Sequence, residues 1–302
     1  MALNQTNKLA WIVETICRAK KISFEDLNRK WMDNTDLSGG EELLKRTFHK
    51  WRWSIYDTFG LVIECEKGGQ YRYYIDNVND LQNGSIESWL LSTFSVCNSL
   101  IESKSIKERI LLEEVPSGKD YLESIISAMK EKRFIHIAHC KYTSSDTRNY
   151  QVMPLCVKLF KQRWYLVGRI WPSNKDVVFS LDRICNCRIS DQDFEFPQEF
   201  NPQDFFSGCI GVITGTDCKI QRIRLKVSSR QTNYLRDLPL HESQQEIYCS
   251  ETHSIFEFML RPTFDFQQEI LSNGEDVEVL EPLWLRKEIA GKIKRMWNQY
   301  NK

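Results

Sequence analysis

The chain has 302 residues, with 41 Lys and Arg balanced by 41 Asp and Glu, 41% hydrophobic and 27% charged. This length exceeds one ordinary domain, and the composition is that of globular chains able to bury a core in each unit. Zero net charge excludes a whole-molecule field drawing the protein onto nucleic acid or an anionic membrane, so any such binding has to come from a local patch.

From residue 5 to about 80 the expected order is three helices and a hairpin. Leu9, Ile12, Val13, Ile16 and Cys17 form one helical stripe. Ser23, with Asp26 three residues later, is placed as the N-cap of a second helix through Phe24, Leu27 and Trp31, and residues 34–40 read as a turn. A third helix over 41–58 sets Leu44, Phe48, Trp51 and Ile55 on one buried face. Lys45, Arg46, His49, Lys50 and Arg52 then occupy its flanks and outer face, with no acid between 45 and 52. Strands Leu61–Cys65 and Gln70–Ile75 flank Glu66-Lys67-Gly68-Gly69, a hairpin signal. Helix, turn, cationic helix and hairpin together give a winged helix-turn-helix over 1–80.

Residues 81–132 read as a helical linker and dimerisation segment. One helix carries Trp89, Leu90, Thr93, Phe94, Cys97 and Ile101, and Pro116-Ser117-Gly118 breaks the chain before another from about Asp120 to Lys132. This linker is expected to pack against a partner subunit. From 133 the apolar period changes from helical to alternating. Phe134–Ile137, Tyr150–Phe160, Arg163–Trp171 and Val177–Arg188 read as antiparallel strands of a small barrel over 133–200.

Residues 201–302 read as a C-terminal α+β layer. Its order is strand 220–227, helix 229–238, strands 244–249 and 255–260, helix 264–272, strand 277–280 and closing helix 282–300. Phe256, Phe258, Phe264 and Phe266 are expected in its core. Arg222, Arg224, Lys226 and Arg230 alternate on a strand and the following turn, and a solvated face or a ligand contact would both use them. The fold class is therefore multidomain α+β.

The ten cysteines are scattered without a small-scaffold pattern and are expected to be reduced. Cys185 and Cys187 would need Cys209 and Cys218 to complete a metal site, and that spacing is unlike a zinc ribbon or finger, so no metal or cofactor is expected. Gly208-Cys209-Ile210-Gly211 lacks the lysine of a phosphate-binding loop, and Ser207-Gly208 is no nucleophile elbow. His136 and His139, three apart on a strand, face opposite sides. An enzyme is not expected. The first eight residues lack the basic start and apolar core of a signal peptide, and no run approaches the ~18 apolar residues of a membrane span. A cytoplasmic protein with no membrane partner is the expectation.

Arg163-Trp164-Tyr165-Leu166-Val167-Gly168 and Phe179-Ser180-Leu181-Asp182-Arg183-Ile184 resemble the two signature segments of the WYL family. Met153-Pro154-Leu155 and Lys158-Leu159-Phe160 resemble its approach to the motif. Pro239-Leu240 through Ser243-Gln244, with Glu278-Val279-Leu280-Glu281-Pro282, resemble its C-terminal extension (WCX-like). The resemblance implies a winged helix, an Sm-like barrel carrying the motif and this extension, in dimeric transcription regulators of DNA-damage or phage-defence genes whose barrel binds a nucleic-acid ligand. This chain departs from the pattern at Val177 and Ser180, where many members carry arginine, and at His139, where an aromatic is usual.

Two sets of site residues follow. Lys45, Arg46, Thr47, His49, Lys50 and Arg52 on the third helix are assigned to base edges and nearby phosphates, with Lys67 and Arg72 on the wing gripping the backbone. The plainer alternative is a solvated helix face. In the barrel, Trp164 and Tyr165 must face opposite sides of their strand, so one packs the core and the other offers a stacking surface. Arg163, Arg169 and Arg183 offer guanidinium forks for phosphate, Asp182 orients an arginine, and His139, Tyr142 and Ser180 complete the ligand set. The plainer alternative is that Trp164 is core and Asp182 and Arg183 lock two strands. The function expected is sequence-specific, ligand-switched DNA binding by a homodimer on a duplex operator, with a nucleotide or small nucleic-acid effector. The alternative is a non-transcriptional nucleic-acid-binding or accessory module whose winged helix meets a protein partner.

Overall fold

A computed structural model of the chain describes residues 2–66, 68–69, 71–77, 86–102, 109, 111, 118–140, 146–215 and 218–301. The fold is mixed α and β, divided into units 1–113 and 114–302. Among the described residues no helix is long and apolar enough to cross a membrane.

In the first unit, α1 (Ala2–Ala19) buries Leu9, Ile12, Val13 and Ile16 of the expected stripe together with Ala10, while Cys17 is half-buried. Helix α2 (Phe24–Asp33) starts where expected, because the Ser23 Oγ accepts the Asp26 amide at 3.1 Å. The segment read as a turn holds a one-turn helix, α3 (Thr35–Ser38), since the Asn34 side chain accepts the Leu37 amide and caps it.

Helix α4 (Lys45–Phe59) begins later than expected, which changes its inner face. Residues 41–44 contain no helical turn, and the Asn28 side chain accepts the Leu43 amide at 2.8 Å. Leu43 therefore turns inward at 3% exposure, while Leu44, expected in the core, is 59% exposed. Phe48, Ile55 and Phe59 make the buried face, and Phe48 meets Tyr73 edge-on at 4.9 Å.

Strands β1 (Ile63–Cys65) and β2 (Tyr73–Ile75) pair antiparallel, Ile63 opposite Ile75, and are shorter than expected. Ile22 bridges to Tyr73, tying the hairpin to the start of α2. Helix α5 (Ile86–Glu102), expected in a linker against a partner, packs Leu90, Leu91 and Phe94 on the core of its own unit.

In the second unit, α6 (Leu122–Glu131) buries Ile125 and Ala128 against a five-stranded antiparallel sheet. The expected division at 132/133 thus separates a helix from the sheet it covers. The strands are β3 (Arg133–Cys140), β4 (Thr147–Phe160), β5 (Arg163–Trp171), β6 (Lys175–Ser180) and β7 (Ile184–Asp193), in the order β6-β5-β4-β3-β7. The edge strands β6 and β7 are joined by a single 3₁₀ turn, Leu181–Arg183. Four Cα steps reach at most about 14 Å, whereas the edges of a flat five-stranded sheet lie roughly 19 Å apart, so the sheet must curl. Its inside is filled by Ile135, Ile137, Val152, Leu166, Phe179, Leu181 and Ile184. A Cβ on Gly168 would lie 2.2 Å from Val152 Cγ1, so only glycine lets β4 and β5 close here.

A second apolar patch of Leu155, Cys156, Val167 and Phe200 receives Phe205 and Phe206 of α7 (Pro202–Phe206). Beyond it come β8 (Gln221–Ser228), α8 (Ser229–Asp237), β9 (Gln245–Cys249), β10 (His253–Leu260), α9 (Phe264–Ser272), β11 (Val277–Glu281) and α10 (Leu283–Tyr300). The sheet order β11-β8-β10-β9, antiparallel throughout, is a split βαβ arrangement of the ferredoxin-like kind with a closing helix. Phe256, Phe258 and Phe266 fill its core, but Phe264 is 55% exposed at the first position of α9, with Lys292 Nζ 5.7 Å from its ring. On the open face of β8, Arg224 pairs with Glu257 at 2.8 Å and Arg222 with Glu281 at 3.6 Å. Arg230, on the following helix, pairs with Asp276 at 2.6 Å.

Candidate nucleic-acid interface and effector site

Burying Phe48, Ile55 and Phe59 dictates what α4 shows to solvent. Lys45, Arg46, His49 and Lys50 are exposed, followed by Trp53 at 75% and Tyr56 at 53% exposure. Sequence reading did not assign Tyr56, whose spacing from Trp53 continues the same outer face. Thr47 is half-buried. Arg52 is turned inward, its guanidinium donating to the Ile63 carbonyl and lying 5.7 Å from the Tyr73 ring. It joins helix to hairpin. Arg72 is exposed just before β2, and Lys67 lies outside the described residues. A groove of about 310 Å³ beside this face is lined by His49, Trp53, Tyr56, Leu61 and Ile63.

The barrel residues fall into three places. At the 3₁₀ turn joining β6 to β7, Asp182 accepts from both the Arg163 guanidinium and the Ser180 hydroxyl. Burial would raise the Asp182 carboxyl, but the Ser180 hydroxyl and the Arg163 guanidinium hold it below the usual carboxylate range. Arg183 donates through Nε and Nη2 to the Cys140 carbonyl at 2.9 and 2.7 Å. His139 meets Phe179 edge-on at 5.4 Å, and its Nε2 is buried with no hydrogen-bond partner among the described residues. Burial, with Arg183 beside it, holds its pKa below the ordinary imidazole value against the pull of Asp182. His139, Arg163, Ser180, Asp182 and Arg183 are thus brought together, with Tyr165 directly opposite Ser180 across β5 and β6.

Trp164 takes the other face of β5 and packs on the core with Leu166. Arg169 sits about 20 Å along the strand from Arg163. It forks onto Asp176 at 2.7 and 3.1 Å and reaches Glu199 at 2.9 Å, away from the cluster. Tyr142 lies outside the described residues.

Local reading missed three supports of this site. Gly118, at φ 68°, packs so closely on the turn that a Cβ would lie 2.4 Å from the Asp182 amide nitrogen. Tyr121 donates to the Cys185 carbonyl at 2.9 Å. Cys140 and Cys185, expected reduced, are joined as a disulfide, because β3 and β7 are neighbours in the sheet.

Residues 120–189, from the turn before α6 into β7, match the WYL domain, and residues 219–297, from just before β8 into the last turns of α10, match the WCX domain. The second unit thus carries a stretch that matches the WYL domain, followed by one that matches the WCX domain. The WYL match contains His139, Arg163, Ser180, Asp182 and Arg183, so the five clustered side chains all lie in that domain. Among solved structures, the chain is similar to proteasome accessory factor B/C (PafBC) of Arthrobacter aurescens. The identity is 15% and the TM-score 0.37, covering 96% of this chain and 46% of that one. It therefore spans less than half of that relative's length. It is also similar to a CRISPR Cas-related protein at 11% identity and a TM-score of 0.42, covering 99% of this chain and 85% of the other. No curated protein matches it.

Proposed function

We propose that this protein is a ligand-responsive, sequence-specific DNA-binding transcription regulator, acting as a cytoplasmic homodimer and without a catalytic step. In this reading the first unit is a winged helix-turn-helix, with α2 and α4 as its helix pair and β1–β2 as its wing. The curled sheet is an Sm-like barrel that takes a nucleotide or small nucleic-acid effector at the Asp182–Arg183 turn. The regulated genes are those of defence or DNA damage, the setting that the family resemblance suggests.

The observation that carries it is the outer face of α4. Lys45, Arg46, His49 and Lys50 stand exposed on one helix with no acid among them, although residues 1–80 as a whole carry as many acids as bases. A local cationic ridge on an α-helix suits a major groove, where phosphates supply affinity and base edges specificity. The effector need only bind one of two dimer geometries better by a few kcal/mol to change occupancy of an operator.

The groove beside Trp53 and Tyr56 favours a second reading, in which this face grips a protein partner and the chain is an accessory module. Crosslinking and recovery of bound genomic fragments separates the two. The regulator reading expects a few enriched operators, absent when Arg46 and Lys50 are both alanine. Fragments with no common sequence would favour the accessory module.

A further inference from the structure

The bond between Cys140 and Cys185 lies directly beside the Asp182–Arg183 turn. Cys140 is the last residue of β3 and Cys185 the second of β7. The ladder between these strands jumps from Ala138↔Asn186 to His139↔Ile184, which leaves Cys185 as the extra residue of a β-bulge. A bulge releases one side chain from strict alternation and re-aims it, here toward Cys140.

Both half-cystines are held through their carbonyls. Cys140 O accepts the Arg183 guanidinium twice, and Cys185 O accepts the Tyr121 hydroxyl. The crosslink is therefore joined by hydrogen bonds to the arginine of the motif and to the turn preceding α6. The two free thiols of the same curled sheet, Cys156 and Cys187, are poorly disposed to react. Burial pushes Cys156 and Cys187 up to about 11, and the thiolate is the reactive form. Cys185 is exposed on its bulge.

We infer that Cys140 and Cys185 form a reversible redox site that sets the grip of Arg183, and with it the affinity of the barrel for its effector. Oxidation by a peroxide joins the two sulfurs. The two thiols lose two protons and two electrons, and hydrogen peroxide is reduced to two waters. Reduction by a dithiol reverses this by thiol–disulfide exchange, the dithiol itself leaving as a disulfide. With the bond closed, the Cys140 carbonyl is a fixed acceptor and Arg183 is preorganised. With it open, the end of β3 and the bulge of β7 are free to separate, and Arg183 must be ordered at the expense of binding. The effect on affinity rests on the effector reading above, whereas the existence of the redox site does not.

The test uses the full chain, reduced with dithiothreitol or oxidised with hydrogen peroxide, then alkylated for peptide mass analysis. Amide exchange over 133–140 and 184–193 is followed in both states. Binding is read by anisotropy of a short fluorescein-labelled single-stranded oligodeoxynucleotide. Expected are a 140–185 crosslinked peptide after oxidation, slower exchange at both strand ends, and affinity about tenfold higher than in the reduced protein. Cys185→Ser and Cys140→Ser should each stay at the reduced value under either treatment. Free thiols at both positions after peroxide, or equal affinity of the two forms, overturns the inference. An oligonucleotide that binds neither form, while the bond closes and exchange slows, sinks the effector reading and leaves the redox site standing.

Discussion

Arg163 and Asp182 carry the clearest single-residue consequence. The Asp182 side chain is 11% exposed and accepts from Arg163, so Arg163→Ala leaves a largely buried carboxylate without its cationic partner. A hydrogen bond to a charged group contributes about 1.5–3 kcal/mol, and urea unfolding of Arg163→Ala should show a loss of that size. A loss indistinguishable from zero would mean the pair is solvated. His139 supplies a pH test. Its folded pKa is lowered by burial and by Arg183, so on acidification the unfolded chain takes up the proton first. Stability therefore falls as pH drops below about 6.5 and levels off once the folded ring also titrates. Between about pH 7 and about pH 5, His139→Gln should lose less stability than the unaltered protein, read as the shift in denaturation midpoint. Equal losses would contradict the burial of this ring. The motif names the residues of this cluster, but not their partners. Arg183 meets Cys140 and Tyr121 meets Cys185 across many residues of chain, and no local periodicity encodes which strands become neighbours.

At the level of elements, strong periodic signals locate most helices and strands, while their ends are set by hydrogen bonds that the pattern does not contain. Helix α4 shows the difference. The stripe through Phe48 and Ile55 is visible in the sequence, yet Asn28 holds the Leu43 amide, the helix starts at Lys45, and Leu43 replaces Leu44 in the core. Gly118 shows it again, since Pro116-Ser117-Gly118 reads as a simple break, whereas the folded glycine sits against the Leu181–Asp182 backbone. Gly118→Ala adds a Cβ where φ is positive and the turn is already in contact, and should cost about 1–3 kcal/mol. The same change at Gly274, also at positive φ but with nothing within 4 Å of a built Cβ, should cost less. Thermal unfolding of the two variants ranks them, and the opposite order would contradict the close approach at the turn. The split βαβ layer is legible because each of its helices and strands repeats its own period. The curl of the five-stranded sheet is not, because it follows from the shortness of the connection between its two edges.

For the whole molecule, the proposed regulator has DNA contact in the first unit and effector binding in the second, coupled through a dimer. A dimer on two half-sites would add the modest affinity of each α4 ridge, and the effector would act by favouring one spacing of the ridges over another. All of this requires that the exposed cations of α4 meet phosphate or base in duplex DNA. Every phosphate left without its cation should make the log–log dependence of affinity on salt shallower by about one. The most direct measurement is therefore the salt dependence of binding to a recovered genomic fragment, for the unaltered protein and for the variant with Arg46 and Lys50 both alanine. Weaker binding by the variant is expected, with a slope shallower by about two per subunit. Identical affinity and identical slope in both proteins would rule out DNA contact by this helix face.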